Sequence, residues 1–279
     1  MKQRAFKQVD VFSTVPYLGN PLAVVLDGSG LNDQQMQGFA RWTNLSETTF
    51  VLPPSNPVAD YRVRIFTTRG ELPFAGHPTL GSCHAWLEAG GRAKSKPQIV
   101  QECQAGLIRI QRNGTRLAFG APPLLKTGPL DAATLTKLAR CLHIDETDIL
   151  HHQWVDNGPG WMAVMLRSVE QVLALTPDFT GMGVVKLGVV APYPPGAEHQ
   201  FELRAFFTTT GVVEDPVTGS LNAGVAQWLI GAGLAPERYR ASQGLAMGRA
   251  GNIFVNRDAQ GQIWVGGDSV TCVDGSVSL

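Results

Sequence analysis

Three ionisable side chains stand where the chain could put them to chemical use. Glu47 lies in Asn44-Leu45-Ser46-Glu47-Thr48-Thr49-Phe50, between an expected helix end and an apolar strand. Burial at such a junction raises a carboxylate pKa and suits the group to shuttle a proton. The plain alternative is a surface or capping glutamate. His77, in Gly76-His77-Pro78, has two ring nitrogens and a tunable pKa, or is a loop histidine bonded to backbone. Asp215, in Glu214-Asp215-Pro216-Val217-Thr218-Gly219-Ser220, precedes a proline, and Asp-Pro favours turn initiation. Taken alone it reads equally well as a turn aspartate.

The glycines beside these residues add a second kind of chemistry. Gly76-His77-Pro78 and Thr218-Gly219-Ser220 each fall just before an expected helix. The first N–H groups of a helix have no internal partners, and with the helix dipole they make an anion site. Glycine lets a substrate approach that backbone closely. Two such starts would hold a carboxylate, or an enolate developing during proton abstraction. The alternative is ordinary capping, with Thr218 or Ser220 satisfying backbone N–H groups. His151-His152 has no nearby carboxylate to complete a metal triad, and His84 reads as packed on a helix. No Walker loop, dinucleotide fingerprint, HExxH or nucleophile elbow is present.

The elements that must position these residues are mostly strands. Alternating or apolar runs predict strands over 5–14, 22–26, 48–52, 60–67, 98–104, 107–112 and 115–119. Later strands are expected over 161–166, 184–191, 200–207, 239–242, 252–256, 262–265 and 270–273. Asn32 can cap a helix through Trp42 with Met36, Phe39 and Ala40 inward. Further helices are expected over 79–88, 132–141 and 221–230, with loops over 69–78 and 208–220. Those over 79–88 and 221–230 are apolar around most of their circumference, as central helices should be.

The two halves are alike. RIFTTRGELPFAGHPTLGSCHAWLEAGG from Arg64 and RAFFTTTGVVEDPVTGSLNAGVAQWLIGAG from Arg204 share strand, loop, helix and glycine stop in the same order, with Gly76 opposite Gly219 if short gaps are allowed. We read a duplicated α+β protein of two domains: 1–124, completed by the C-terminal strand at about 268–279, and 125–267.

Composition narrows the class. The chain has 279 residues, 44% apolar, so it can bury a large core. Lys+Arg and Asp+Glu are both 23, which leaves no basic surplus for nucleic acid. No run approaches a membrane span, and the N-terminus lacks a signal-type apolar core. The expected setting is cytoplasmic, without membrane or nucleic-acid partners. The four cysteines form no CxxC pair, so structural zinc and a disulfide scaffold are not expected.

Together these segments resemble the phenazine-biosynthesis PhzF-like family. The match runs through Asp10-Val11-Phe12, Gly19-Asn20-Pro21-Leu22-Ala23-Val24-Val25, Asn44-Leu45-Ser46-Glu47-Thr48, Phe74-Ala75-Gly76-His77-Pro78-Thr79, the 214–220 segment and Gln243-Gly244, in family order. The resemblance implies the diaminopimelate-epimerase-like fold: two pseudo-symmetric domains, each a curved, mostly antiparallel sheet around a central helix, with the active site between them. It implies a homodimeric isomerase without cofactor or metal, shifting a proton on a small carboxylate-bearing substrate. Glu47 is then the general acid/base, His77 and Asp215 line its pocket as catalytic partners, and Gly76, Gly219 and Ser220 bind substrate. Other readings are a racemase or epimerase on an amino-acid-like substrate, or a non-catalytic binding protein of the same fold. Related epimerases and racemases place a cysteine beside each helix-start glycine; here Ala75 and Thr218 stand there. Gly248-Arg249-Ala250-Gly251 and Thr68 also depart from the family pattern, and bear on the substrate rather than the fold.

Overall fold

The computed structural model describes residues 1–95, 98–180, 182–208 and 214–279, so the expected 208–220 loop lies partly outside the described residues. The chain divides into two compact units, Met1–Gly120 with Gly266–Leu279, and Ala121–Val265. The outer unit runs β1 (Gln3–Val11), β2 (Asn20–Val25), α1 (Asp33–Thr43), β3 (Thr48–Leu52), β4 (Tyr61–Phe66), β5 (Glu71–Leu72), α2 (Gly76–Glu88), β6 (Gln98–Cys103), β7 (Gly106–Asn113) and β8 (Arg116–Gly120). The inner unit follows with α3 (Ala132–Leu142), β9 (His151–Trp154), β10 (Met162–Met165), α4 (Val169–Ala174), β11 (Lys186–Pro192), β12 (Phe201–Phe207), β13 (Glu214–Asp215), α5 (Gly219–Gly231), β14 (Arg238–Gln243), β15 (Gly251–Arg257) and β16 (Ile263–Gly267), the last two residues of which already belong to the outer unit. The chain then returns to the outer unit as β17 (Ser269–Ser278), antiparallel to β1. This is a mixed α+β architecture.

One pairing series is written twice. In the outer unit β1 is antiparallel to β2, β2 parallel to β3, β3 antiparallel to β4, and β4 both antiparallel to β5 and parallel to β6, which is antiparallel to β7. In the inner unit β9, β10, β11, β12, β13, β14 and β15 repeat these relations in the same order. Side chains repeat as well. Arg64 grips Glu71 with paired bonds of 2.7 and 2.6 Å and lies 5.0 Å over the Phe66 ring. Arg204 grips Glu214 with bonds of 2.9 and 2.8 Å and lies 4.9 Å over Phe206. Glu71-Leu72-Pro73-Phe74-Ala75-Gly76-His77 therefore superposes without gaps on Glu214-Asp215-Pro216-Val217-Thr218-Gly219-Ser220, and the extra residues of the second copy fall before Glu214.

Local signals account for the elements that carry the candidate residues. Asn32 accepts from the Gln35 N–H at 2.9 Å while Gln35 Oε1 accepts from the Asn32 N–H at 3.0 Å, a reciprocal cap that starts α1. Asn44 ends it in the left-handed region, φ 55°. That turn sends the chain into β3 and leaves Glu47 as the last residue before the strand. In the outer core Phe50 meets Phe39 and Phe66 edge-on, at 6.2 and 5.7 Å between centroids. In the inner core Leu138, Val164, Leu187, Val189 and Phe206 are buried together.

The two central helices are buried along most of their lengths, as their all-round apolarity predicts. Both start earlier than expected, at Gly76 rather than 79 and at Gly219 rather than 221. Neither start carries a side-chain cap, so the usual sequence marker is missing. The loop expected over 69–78 contains β5, and β13 is likewise too short for periodicity to reveal. The strand β9 and the six-residue α4 are also additions to the sequence reading.

Candidate active site

In the outer unit α2 and the α1–β3 turn bring two candidate residues together. Ala75, extended at φ −151° and ψ 142°, precedes α2 and has no side chain with which to cap it. His77 is the second helical residue and only 5% exposed. Its Nε2 lies 3.2 Å from Glu47 Oε2, and its Nδ1 lies 3.4 Å from Asn20 Nδ2. Burial holds the imidazole pKa down at about 3, so the ring is neutral near pH 7. A carboxamide nitrogen only donates, so Nδ1 accepts from Asn20 and the ring proton sits on Nε2, directed at Glu47. The Glu47 side chain keeps 15% exposure. The pair is thus a partly exposed carboxylate with a neutral imidazole in close contact.

The inner unit holds the other three candidates. Asp215, on β13, is 6% exposed. Its Oδ2 accepts from Thr218 Oγ1 at 2.6 Å. Gln243, fully buried on β14, donates to Thr218 Oγ1 and to the Asp215 carbonyl, both at 3.0 Å. Gln243 Oε1 accepts from the Thr218 N–H at 3.0 Å and from Asn222 Nδ2 at 2.8 Å. Thr218 therefore spends its hydroxyl on Asp215, which excludes the capping alternative for that residue. Ser220 does not cap either: its Oγ accepts from Trp161 Nε1 at 2.9 Å, and its carbonyl from Asn157 Nδ2 at 2.8 Å.

The structure thus places Glu47, His77 and Gly76 in one unit and Asp215, Gly219 and Ser220 in the other. Sequence reasoning missed Asn20, Thr218 and Gln243 as supporting groups, and Trp161 altogether. No local pattern marked Trp161, whose counterpart by strand register in the outer unit is Leu22. The discounted histidines have structural partners: His84 Nε2 lies 3.1 Å from Thr271 Oγ1, and His152 Nδ1 accepts from the Leu130 N–H at 3.0 Å. Among the described residues, no group of three His, Cys, Asp or Glu side chains is placed to hold a metal, and no helix is long and apolar enough to cross a membrane.

This arrangement belongs to a known class. The fold is that of a phenazine biosynthesis protein of the PhzF family from Bacillus anthracis, with a TM-score of 0.83 at 24% identity over 100% of both chains. The chain belongs to the phenazine biosynthesis-like (PhzC-PhzF) family, whose pattern matches residues 9–275. It is 35% identical to antisense-enhancing sequence 1 of Schizosaccharomyces pombe over 99% of each chain. It is 33% identical to the trans-2,3-dihydro-3-hydroxyanthranilate isomerase of Pseudomonas fluorescens, over 97% of this chain and 98% of that one. Isomerases recur among its full-length relatives, so isomerisation is the general chemistry of the family.

Proposed function

We propose that the protein is a proton-shifting isomerase of a small, carboxylate-bearing substrate, with Glu47 as the single general acid/base. The observation that carries this reading is the 3.2 Å contact between Glu47 Oε2 and the Nε2 of a buried, neutral His77. A neutral imidazole at that distance packs against the carboxylate without neutralising it. Glu47 then removes a proton from a carbon activated by a neighbouring carboxylate, carbonyl or enol. As the resulting carboxylic acid it returns the proton to another carbon on the same face.

His77 keeps Glu47 oriented through both steps. The first-turn N–H groups at Gly76 and Gly219, together with Ser220, hold the anionic oxygens of the substrate. Asp215 is a further catalytic residue of this reading, its carboxylate fixed by Thr218. The likeness to an isomerase acting on a dihydro-hydroxyanthranilate supports a cyclic substrate bearing amino, hydroxyl and carboxylate groups.

A two-thiol racemase mechanism lacks its bases. Ala75 and Thr218 occupy the helix-start positions, and the Cys83 thiol, buried within α2, is pushed up to about 12.

Glu47→Gln keeps the shape of the side chain and removes the base. Turnover is expected to fall by about 10³-fold or more, with the fold and ligand binding retained. Proton NMR in D2O with trans-2,3-dihydro-3-hydroxyanthranilate, wild type beside variant, reads this directly. Undiminished turnover in the variant overturns the assignment of Glu47.

A further inference from the structure

We infer that Trp161 is a positioning residue that turns the Ser220 hydroxyl into an outward hydrogen-bond donor for an anionic oxygen of the substrate. The inference rests on the proposed binding role of Ser220 and deepens it. A serine hydroxyl has one proton and two lone pairs, and it rotates to suit its neighbours. Trp161 Nε1 is a donor only, and it lies 2.9 Å from Ser220 Oγ. That contact fills a lone pair and directs the serine proton elsewhere. Among the described residues, no acceptor takes that proton. Ser220 is the second residue of α5, whose first turn has no side-chain cap. Its proton and the first-turn N–H groups therefore form one set of donors.

The Trp161 ring is held so that it can do this. The residue is 3% exposed, and its ring meets Phe207 edge-on at 6.4 Å. Its carbonyl accepts from the Val155 N–H at 3.0 Å, closing the intervening turn. Asp156 Oδ1 accepts from the Gly158 and Gly160 N–H groups at 2.8 and 2.6 Å, which stiffens that turn from within. Asn157, in the same turn, ties it to the Ser220 carbonyl at 2.8 Å.

The duplication supplies an independent parallel. His77 occupies the same second position in α2, and Asn20, the first residue of β2, lies 3.4 Å from its Nδ1. In each unit a donor at or beside the start of an equivalent strand, though not at the same register position, occupies an acceptor on the second helical residue and so decides where that residue's own proton points.

The test is a double-mutant cycle with trans-2,3-dihydro-3-hydroxyanthranilate as the probe. Trp161→Phe removes the indole N–H and keeps an aromatic ring. KM is expected to rise roughly tenfold, with kcat changing by less than about threefold, in line with the loss of one oriented hydrogen bond. Ser220→Ala should raise KM at least as much, and the double variant should match Ser220→Ala alone. Multiplying effects would show that Trp161 acts by packing and overturn the inference. The hydrogen bond itself is read without ligand: Ser220→Ala should accelerate solvent exchange of the Trp161 indole proton, and unchanged exchange also overturns the inference. A wild-type protein that neither binds nor converts the probe, or a Ser220→Ala variant with unaltered KM, instead defeats the functional reading beneath it.

Discussion

At the scale of single residues, the candidate site depends on which protons are fixed and which can move. His77 has its pKa lowered from 6.5 to about 3 by burial, the reverse of a histidine that gains a charged partner. The unfolded chain takes up a proton near pH 6.5 and the folded chain does not, so stability is lost as pH falls from 6.5 toward 3. His77→Gln is expected to flatten that limb of the stability profile, measured by urea unfolding at successive pH values. In the wild-type protein, nitrogen NMR should show the ring neutral and protonated on Nε2 from pH 5 to 8. A His77 that titrates near 6.5 would remove the argument for a neutral imidazole beside Glu47. Glu47, His77 and Asp215 were legible in the sequence as residue types in suggestive segments. Their partners were less so: Asn20 and Gln243 act through contacts across 57 and 25 positions that no local pattern encodes, and Thr218, though only three positions from Asp215, reads as an ordinary cap until the structure shows where its hydroxyl points.

At the scale of elements, the two central helices have diverged in how tightly they are gripped. A Cβ added at Gly81 would lie 2.6 Å from Leu22 Cδ2 and 2.8 Å from Val11 Cγ2, side-chain tips that can turn aside. A Cβ at Gly224 would collide with the backbone carbonyl of Val155, which cannot. Gly81→Ala should therefore cost about 1 kcal/mol and Gly224→Ala about 3 kcal/mol, both read by chemical denaturation. Equal costs would mean that Val155 yields as readily as a leucine tip. Strands with clean alternation and helices with a marked start were readable: β3 matches its expected bounds, and α1 begins beside the cap that Asn32 advertises. The starts of α2 and α5 were not readable, because a site that presents bare backbone N–H groups cannot also carry the capping side chain that marks a helix start. The short strands β5 and β13 escaped because two residues have no period. Their presence follows instead from the Arg64–Glu71 and Arg204–Glu214 clamps.

At the scale of the whole molecule, the same clamp sits in two different environments. The Arg204 and Glu214 side chains are 7% and 13% exposed, against 25% and 27% for Arg64 and Glu71. Arg204 also donates to the Val172 and Leu175 carbonyls at 3.0 and 2.7 Å. Removing the acid from the drier pair leaves a poorly hydrated charge, so Glu214→Gln is expected to cost about 3 kcal/mol, and Glu71→Gln about 1 kcal/mol or less. Thermal unfolding of the two variants compares them, and equal shifts would mean that solvent reaches both pairs alike. The antiparallel pairing of β1 with β17 has a further consequence, for biosynthesis. Lys7 and its partner Asp274 are 267 positions apart, and the entire inner unit is translated between them. At ribosomal speeds the nascent chain carries β1 with one edge unmatched for on the order of 10 s or more. A ready-made template for wrong pairing is thus on display throughout that interval. The inner unit, contiguous in the chain, meets no such delay, so the half bearing Asp215 can be built on the ribosome before the half bearing Glu47 is closed.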